Sequence, residues 1–301
     1  MKEPIFTFDT HEVIEIQNAS LGYDIIDWGL SSIMAPYAWQ FSKGENAKVA
    51  ILDTGVDFAH PDLKDNLVEL KDFTNSSYGV KDVQGHGTHI AGSIAGVDNQ
   101  KGIVGVAPKS KLYIAKVLDD RGTGKYQSLL NGLQWAIERN VDIINMSLGT
   151  TNEPPQELHE AIKEAYQKGI TVIAATGNDN REVNYPAAYD ETIAVSALDM
   201  TYERASFSNY GIKNQIIAPG VSILSTYKNG SYAKLSGTSM ATSIVSGAAA
   251  LYISHIKTKN VIPTVEMIHQ ALLNATVDLG VSGKDEFFGQ GLINLAKMFK
   301  K

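Results

Sequence analysis

Unbroken apolar stretches of strand length recur along this chain, separated by segments in which apolar residues return every three or four positions. Lys48 to Leu52, ending at Asp53, is the first buried-strand signal. Leu112 to Leu118, Val141 to Leu148, Ile170 to Ala175 and Ile193 to Ala197 follow. Between the second and third of these, Tyr126, Leu129, Leu130, Leu133 and Ile137 form one helical stripe up to Arg139. Pro154 and Pro155 open another helix that runs to Lys168, with Gly169 as its cap. Strands without polar alternation, interleaved with helices, predict an α/β fold whose mainly parallel sheet is covered by helices on both faces. Ligands of such sheets sit at the carboxyl ends of the strands, and Asp53, Ser147 and Asn178 lie at or just past such ends.

Further along, Ile223 to Tyr227 and Ser231 to Leu235 flank Lys228-Asn229-Gly230, an Asn-Gly hairpin signal. The small-residue run from Thr238 to Ile253 reads as a buried helix packed closely on the sheet. Val265 to Asn274 is the last full helix, and Phe287 to Ile293 a closing turn. Residues 1–22 read as a short amphipathic extension ahead of a single domain spanning 23–301, without internal repeats or linkers.

Composition narrows the function. The formal net charge of -7 offers no basic patch for nucleic acid. The absence of cysteine excludes disulfides, thiol nucleophiles and thiolate metal sites. Acids and a proline among the first ten residues do not suit a signal peptide, and no apolar run reaches about 18 residues. A soluble, cytoplasmic protein with no membrane partner is therefore expected.

Three glycine-flanked segments carry the chemistry: Val49-Ala-Ile-Leu-Asp-Thr-Gly55, Gly85-His-Gly-Thr-His89 and Ser236-Gly-Thr-Ser-Met-Ala241. They offer a carboxylate (Asp53), an imidazole (His86) and a hydroxyl (Ser239), the parts that make serine nucleophilic at neutral pH. Ser239 opens the apolar helix, near backbone amides and the positive end of its dipole. Alone it would read as a helix N-cap. His86 and His89 lack the i, i+4 spacing and the glutamate of a helical zinc site, and His89 also suits a neutral core position. A carboxylate closing an apolar strand needs a partner, and His86 is the natural one, its tautomer fixed by donating one ring N–H to Asp53. Asp57 better fits a plain turn role. In Ala174-Ala-Thr-Gly-Asn178 a strand-end amide can donate to a developing oxyanion.

Together the four segments resemble the subtilisin-like serine proteases, the subtilase family, from about Ile33 to Leu292. The resemblance implies the three-layer fold of that family and a serine endopeptidase acting through an acyl-enzyme. Ser239 would be the nucleophile, His86 the base, Asp53 its orienting carboxylate, and Asn178 the oxyanion donor with the Ser239 amide. It further implies an extended peptide held between Gly122-Thr123-Gly124 and Ser147-Leu148-Gly149 by β-augmentation. Leu118 and His86 would line the pocket for the second residue before the cut, and Tyr126, Leu129 and Leu148 that for the fourth. Ala175-Thr176-Gly177 and Asn184 would surround the residue at the cut, where a neutral polar or medium-sized side chain is expected over arginine. Tyr185-Pro186 resembles the family's cis-proline turn.

Calcium (Ca2+) is implied as well, held by Asp24, Asp62, Asn99 and the carbonyls of Val97, Lys101 and Ile103. Ser243 and Ile244 depart from the proline and histidine of most relatives, which bears on packing and not on chemistry. Only about thirty residues precede the catalytic core, without the signal and folding prodomain of secreted relatives. That pattern resembles intracellular subtilisins or the cytoplasmic peptidases that remove leaders from lanthionine-containing peptides. The stretch around Pro4 is expected to lie across the cleft as an inhibitory extension. The alternative of another class is an inactive peptide-binding protein on the same fold. A lipase-type esterase is disfavoured, because the Gly-x-Ser-x-Gly elbow is missing around Ser239. Oligomeric state stays open.

Overall fold

The unbroken apolar segments become parallel strands. In the computed structural model, which describes residues 5–7, the main chain of 11–17, and 23–300, the chain opens with β1 (Ile5–Thr7), β2 (His11–Gln17), α1 (Trp28–Ser32) and α2 (Ala35–Ala38). Then come β3 (Lys48–Asp53), β4 (Leu67–Asp72), α3 (His86–Ala95), β5 (Lys111–Lys116), β6 (Thr123–Lys125), α4 (Tyr126–Glu138), β7 (Ile143–Met146), α5 (Gln156–Gln167), β8 (Thr171–Ala175) and β9 (Thr192–Leu198). The chain closes with β10 (Ile216–Pro219), β11 (Ile223–Tyr227), β12 (Ser231–Ser236), α6 (Thr238–Thr258), α7 (Val265–Asn274), β13 (Thr276–Val277), β14 (Leu292–Ile293) and α8 (Leu295–Met298).

Nine of the described strands form one sheet in the order β13-β14-β10-β9-β8-β7-β3-β5-β4. All its neighbours are parallel except β13 and β14. β3 shows why alternation is missing from the sequence. Val49 and Ile51 enter one core with α3 and α6, while Ala50 and Leu52 enter the other with α4 and α5. Both faces are covered, so every position from Val49 to Leu52 is apolar. Each fully buried Leu or Ile there stabilises the fold by about 1.5–3 kcal/mol. This is the three-layer α/β arrangement that the sequence predicted.

Some boundaries differ from the sequence reading. The Leu112 to Leu118 run stops as a strand at Lys116, because Val117 and Leu118 both turn their N–H groups onto the Asp53 carbonyl, at 2.9 and 3.1 Å. The Val141 to Leu148 run keeps only Ile143–Met146 in the ladder. The helix expected to end at Ile253 continues to Thr258, with His255 and Lys257 favourably placed in its last turn. At 21 residues α6 is long and apolar enough to cross a bilayer by length and composition alone, although Ser, Thr, His and Lys interrupt its apolar residues. It is a core helix, since 89% of that apolar window is buried inside the protein.

The largest difference lies at the front. The extension supplies strands: β1 pairs antiparallel with β6, and β2 antiparallel with β12 of the hairpin. Their partners lie more than a hundred residues away, so no local pattern announces them. Pro4 itself lies outside the described residues. The hairpin turn follows expectation, with Asn229 at φ 60° and Gly230 at φ 68°.

Candidate active site

Asp53 is the last residue of β3 and His86 the first of α3, and both are fully buried. The two side chains meet through a 2.8 Å bond in which His86 Nδ1 donates to Asp53 Oδ1. That bond selects the tautomer whose lone pair sits on Nε2. Two glycines permit the approach. Gly85 caps α3 at φ 107°, where a Cβ would also strike the Tyr227 ring at 2.3 Å. A Cβ on Gly87 would meet the Gly55 carbonyl at 2.3 Å and the Asp53 side chain at 3.2 Å.

Ser239 is the second residue of α6, and the N-cap is Gly237, without a side-chain cap bond. The bland reading of Ser239 as a helix cap is thereby excluded. Its hydroxyl donates to the Ser147 carbonyl at 3.2 Å, while Ser147 Oγ returns a bond to the Ser239 carbonyl at 3.1 Å. Behind them Asn145 donates to Ser147 Oγ at 3.0 Å and accepts from Ser246 at 2.9 Å. These polar residues sit in apolar surroundings, where they fasten α6 to the end of β7. Reading the sequence alone passed over Asn145 and Ser246, because an Asn inside a strand carries no local signature.

Asn178 lies three residues past β8, and its Oδ1 accepts from the Thr238 N–H at 2.9 Å. That contact turns the amide so that Nδ2 is its donor end. A cavity of about 210 Å³ joins Ser239, Asn178, Ala175, Gly177 and Asn184, with Ser147, Leu148 and Gly149 along one wall. Thr176 does not line it. That residue is fully buried, and its carbonyl accepts from the Asn184 N–H at 2.9 Å and from Asn209 Nδ2 at 3.0 Å. Asp179 and Arg181 also line the cavity and pair at 3.2 Å, a charge balance that the sequence reading did not foresee. The Tyr185-Pro186 peptide is cis.

The two segments expected to flank a peptide lie on either side of β1, a strand of the chain itself. Phe6 pairs with Gly124 and Thr7 with Thr123, while Thr7 and Gly149 exchange both main-chain bonds at 3.1 and 2.9 Å. Phe6 is fully buried in the core cluster that contains Leu118, Leu129 and Leu148, with Tyr126 packed against it. Gly122, at φ 81°, makes the turn that leads into β6.

The remaining expectations resolve by geometry. His89 is fully buried, with Nε2 between the carbonyls of Ile223 (2.9 Å) and Ala233 (3.1 Å). Burial lowers its pKa to about 3, so it is a neutral core histidine. Asp57 accepts from the Ala59 N–H within its own turn and from the Gly230 N–H of the hairpin, the plainer role. Ser243 bonds the Met240 carbonyl at 2.7 Å, and Ile244 fills the core.

The 97–103 loop folds onto Asp62, which is fully buried. Its Oδ1 accepts from Asn99 at 3.0 Å, and its Oδ2 accepts from Ile103 N–H at 3.1 Å and Tyr232 O–H at 2.8 Å. Val97 N–H donates to the Asp62 carbonyl at 2.9 Å. Asp24 accepts from the Gln100 and Lys101 N–H groups at 2.9 and 3.0 Å, and burial raises its pKa above the ordinary value. The donors in this patch are carboxylate, amide and carbonyl oxygens, a chemistry that suits a hard cation. Among the described residues, no three His, Cys, Asp or Glu side chains gather as a metal site. Any cation here would rely on main-chain carbonyls for most of its shell.

Comparison with known proteins agrees with this geometry. Residues 44–291 match the model of the Subtilase family. The chain is 43% identical over 279 residues to an "Intracellular serine protease" of Paenibacillus polymyxa, covering 89% of this chain and 84% of the relative. It is 46% identical over 239 residues to the "Major intracellular serine protease" of Bacillus subtilis (strain 168), covering 75% of each. It is 42% identical over 258 residues to "Subtilisin DY" of Bacillus licheniformis, covering 84% of this chain and 90% of the relative. The chain belongs to the subtilase family. It is a subtilisin-like serine endopeptidase, a hydrolase of peptide bonds.

Proposed function

We propose that Ser239 attacks the scissile carbonyl, with His86 taking its proton and later giving it to the leaving amine. Asp53 holds the imidazole and stabilises its protonated form. The hydroxyl rotates away from the Ser147 carbonyl to do so. Asn178 Nδ2 and the Ser239 N–H donate to the oxyanion. The observation that carries this reading is the convergence of the Asp53–His86 bond, the start of α6 and the oriented Asn178 amide on the carboxyl ends of β3, β7 and β8. A fluorophosphonate probe should label the protein, and Ser239→Ala should abolish both labelling and at least about 10⁴-fold of peptidase activity. Labelling that survives the substitution overturns the assignment, and an unlabelled wild type would mark an inactive peptide binder.

The substrate is an extended peptide lying where β1 now lies. Residues 23–301 form the catalytic domain, and residues 1–22 act as an inhibitory extension, with Phe6 in the pocket for the fourth residue before the cut. With Arg181 neutralised by Asp179 and Asn184 in the wall, the pocket at the cut takes a neutral polar or medium-sized side chain. Comparing peptides with Gln, Leu and Arg there tests this, and an Arg preference refutes it. Calcium is held by Asp62, Asn99 and the carbonyls of Val97, Lys101 and Ile103, with Asp24 beside them, and it supplies stability to the loop.

The enzyme works in the cytoplasm on proteins generally, a reading supported by the printed names of its intracellular relatives. Digestion of casein alongside leader-type peptides tests it. Activity on leaders with casein untouched would instead establish a dedicated leader peptidase.

A further inference from the structure

Asp82 lies four residues before His86, is 1% exposed, and has no assigned role in the triad. Five uncharged donors converge on its carboxylate. Oδ1 accepts from Thr54 Oγ1 at 2.9 Å, Gln84 N–H at 3.1 Å and Gly85 N–H at 2.7 Å. Oδ2 accepts from Thr88 N–H at 2.9 Å and Thr88 Oγ1 at 2.7 Å. Burying a carboxylate is costly unless it is well bonded. This one is stabilised by satisfying N–H groups at the start of α3, at the positive end of its dipole.

The same oxygens reach across to β3. Thr54 directly follows Asp53. Its hydroxyl donates to Asp82 and accepts from Gly87 N–H at 2.9 Å, while its own N–H donates to Asp53 Oδ1 at 2.7 Å. Its carbonyl accepts from the fully buried Lys116 ammonium at 2.6 Å. Asp53 Oδ1 is also the atom that receives His86 Nδ1. Strand end and helix start, the two supports of the Asp53–His86 pair, are thus joined through one carboxylate and one hydroxyl.

We propose that Asp82 is a positioning residue for peptide hydrolysis, acting through Thr54 to keep Asp53 and His86 in the register that the proton transfer needs. None of its five bonds goes to a residue lining the cleft cavity. Loss of the clamp should therefore lower kcat and leave KM alone. Misplacement of a reacting group by about 1 Å costs on the order of 100-fold.

The test is steady-state kinetics on a peptide amide for Asp82→Asn, Thr54→Val, Thr54→Ser and His86→Ala, with folding of each checked by circular dichroism and thermal melting. Expected are kcat losses of about 100-fold for Asp82→Asn and about tenfold for Thr54→Val, with KM within about twofold and recovery to within about twofold in Thr54→Ser. If Asp82→Asn does not fold, the Thr54 pair decides. Wild-type kcat in folded Thr54→Val, a loss confined to KM, or Thr54→Ser as impaired as Thr54→Val would overturn the proposal. It rests on the triad reading, and the two fail separately: an active His86→Ala breaks the triad, whereas an inactive His86→Ala with undiminished Asp82→Asn and Thr54→Val breaks the clamp alone.

Discussion

The two faces of the central sheet are made of the same strands and differ in what covers them. On one face α3 and α6 are almost wholly buried, and each brings a reactive side chain, His86 or Ser239, in its first turn. On the other face α4 and α5 are amphipathic, with polar outer sides, and the pocket beneath them holds Phe6 from the chain's own front end. Chemistry is mounted on buried helix starts, where neighbours on every side set the position of the group. Recognition, in the function proposed above, falls to β6 and the segment after β7, whose main-chain groups bond the chain's own β1. The first arrangement resists movement, and the second invites an exchangeable occupant.

That contrast can be broken, most sharply at Asn178. Asn178→Ala should lower kcat about 100- to 1,000-fold with KM little changed, because its donor acts on the developing oxyanion. A loss confined to KM would move Asn178 to the recognition side. Calcium comes next. If the 97–103 loop is a structural site on the chemistry side, chelation should lower Tm by about 5 °C while leaving the cleft's residue preference unchanged. A Tm that chelator does not move removes the ion.

On the recognition side, deleting residues 1–20 should raise the initial rate about tenfold, since a tethered competitor acts at high effective concentration. An unchanged rate would show that β1 is only a scaffold strand. The smallest effect concerns His89, beneath the hairpin. Its pKa falls from 6.5 in the unfolded chain to about 3 in the fold, so its contribution is complete above pH 6.5 and is lost as pH falls from there toward 3. By pH 5.5 the loss from this one proton is on the order of 1 kcal/mol. Tm measured against pH should fall less steeply in His89→Gln than in the wild type. Equal slopes would assign the acid limb to other histidines held below their ordinary pKa, such as His60 and His269.

Much of the site was legible because each reactive residue sits on a local signal: Asp53 closes an apolar strand, His86 follows Gly85 and Ser239 follows Gly237-Thr238 at helix starts, and Asn178 lies just past a strand run. Asn145 and Ser246 were not legible. They bond each other across about a hundred residues of chain, and nothing in their own neighbourhood marks them.

Hydrophobic patterning by itself determined the parallel layered fold, since strands buried on both faces must be apolar at every position, and it determined which ends of those strands carry chemistry. Only the tertiary structure decided the strand pairing by which the front of the chain enters the cleft and the bonds that tie the cleft's two halves together. Strand pairing between residues 5–7 and 123–125, and a carboxylate at 82 bonded to a hydroxyl at 54, are long-range hydrogen bonds. Their energy depends on chain segments meeting in space, and such bonds leave no periodic trace along the sequence.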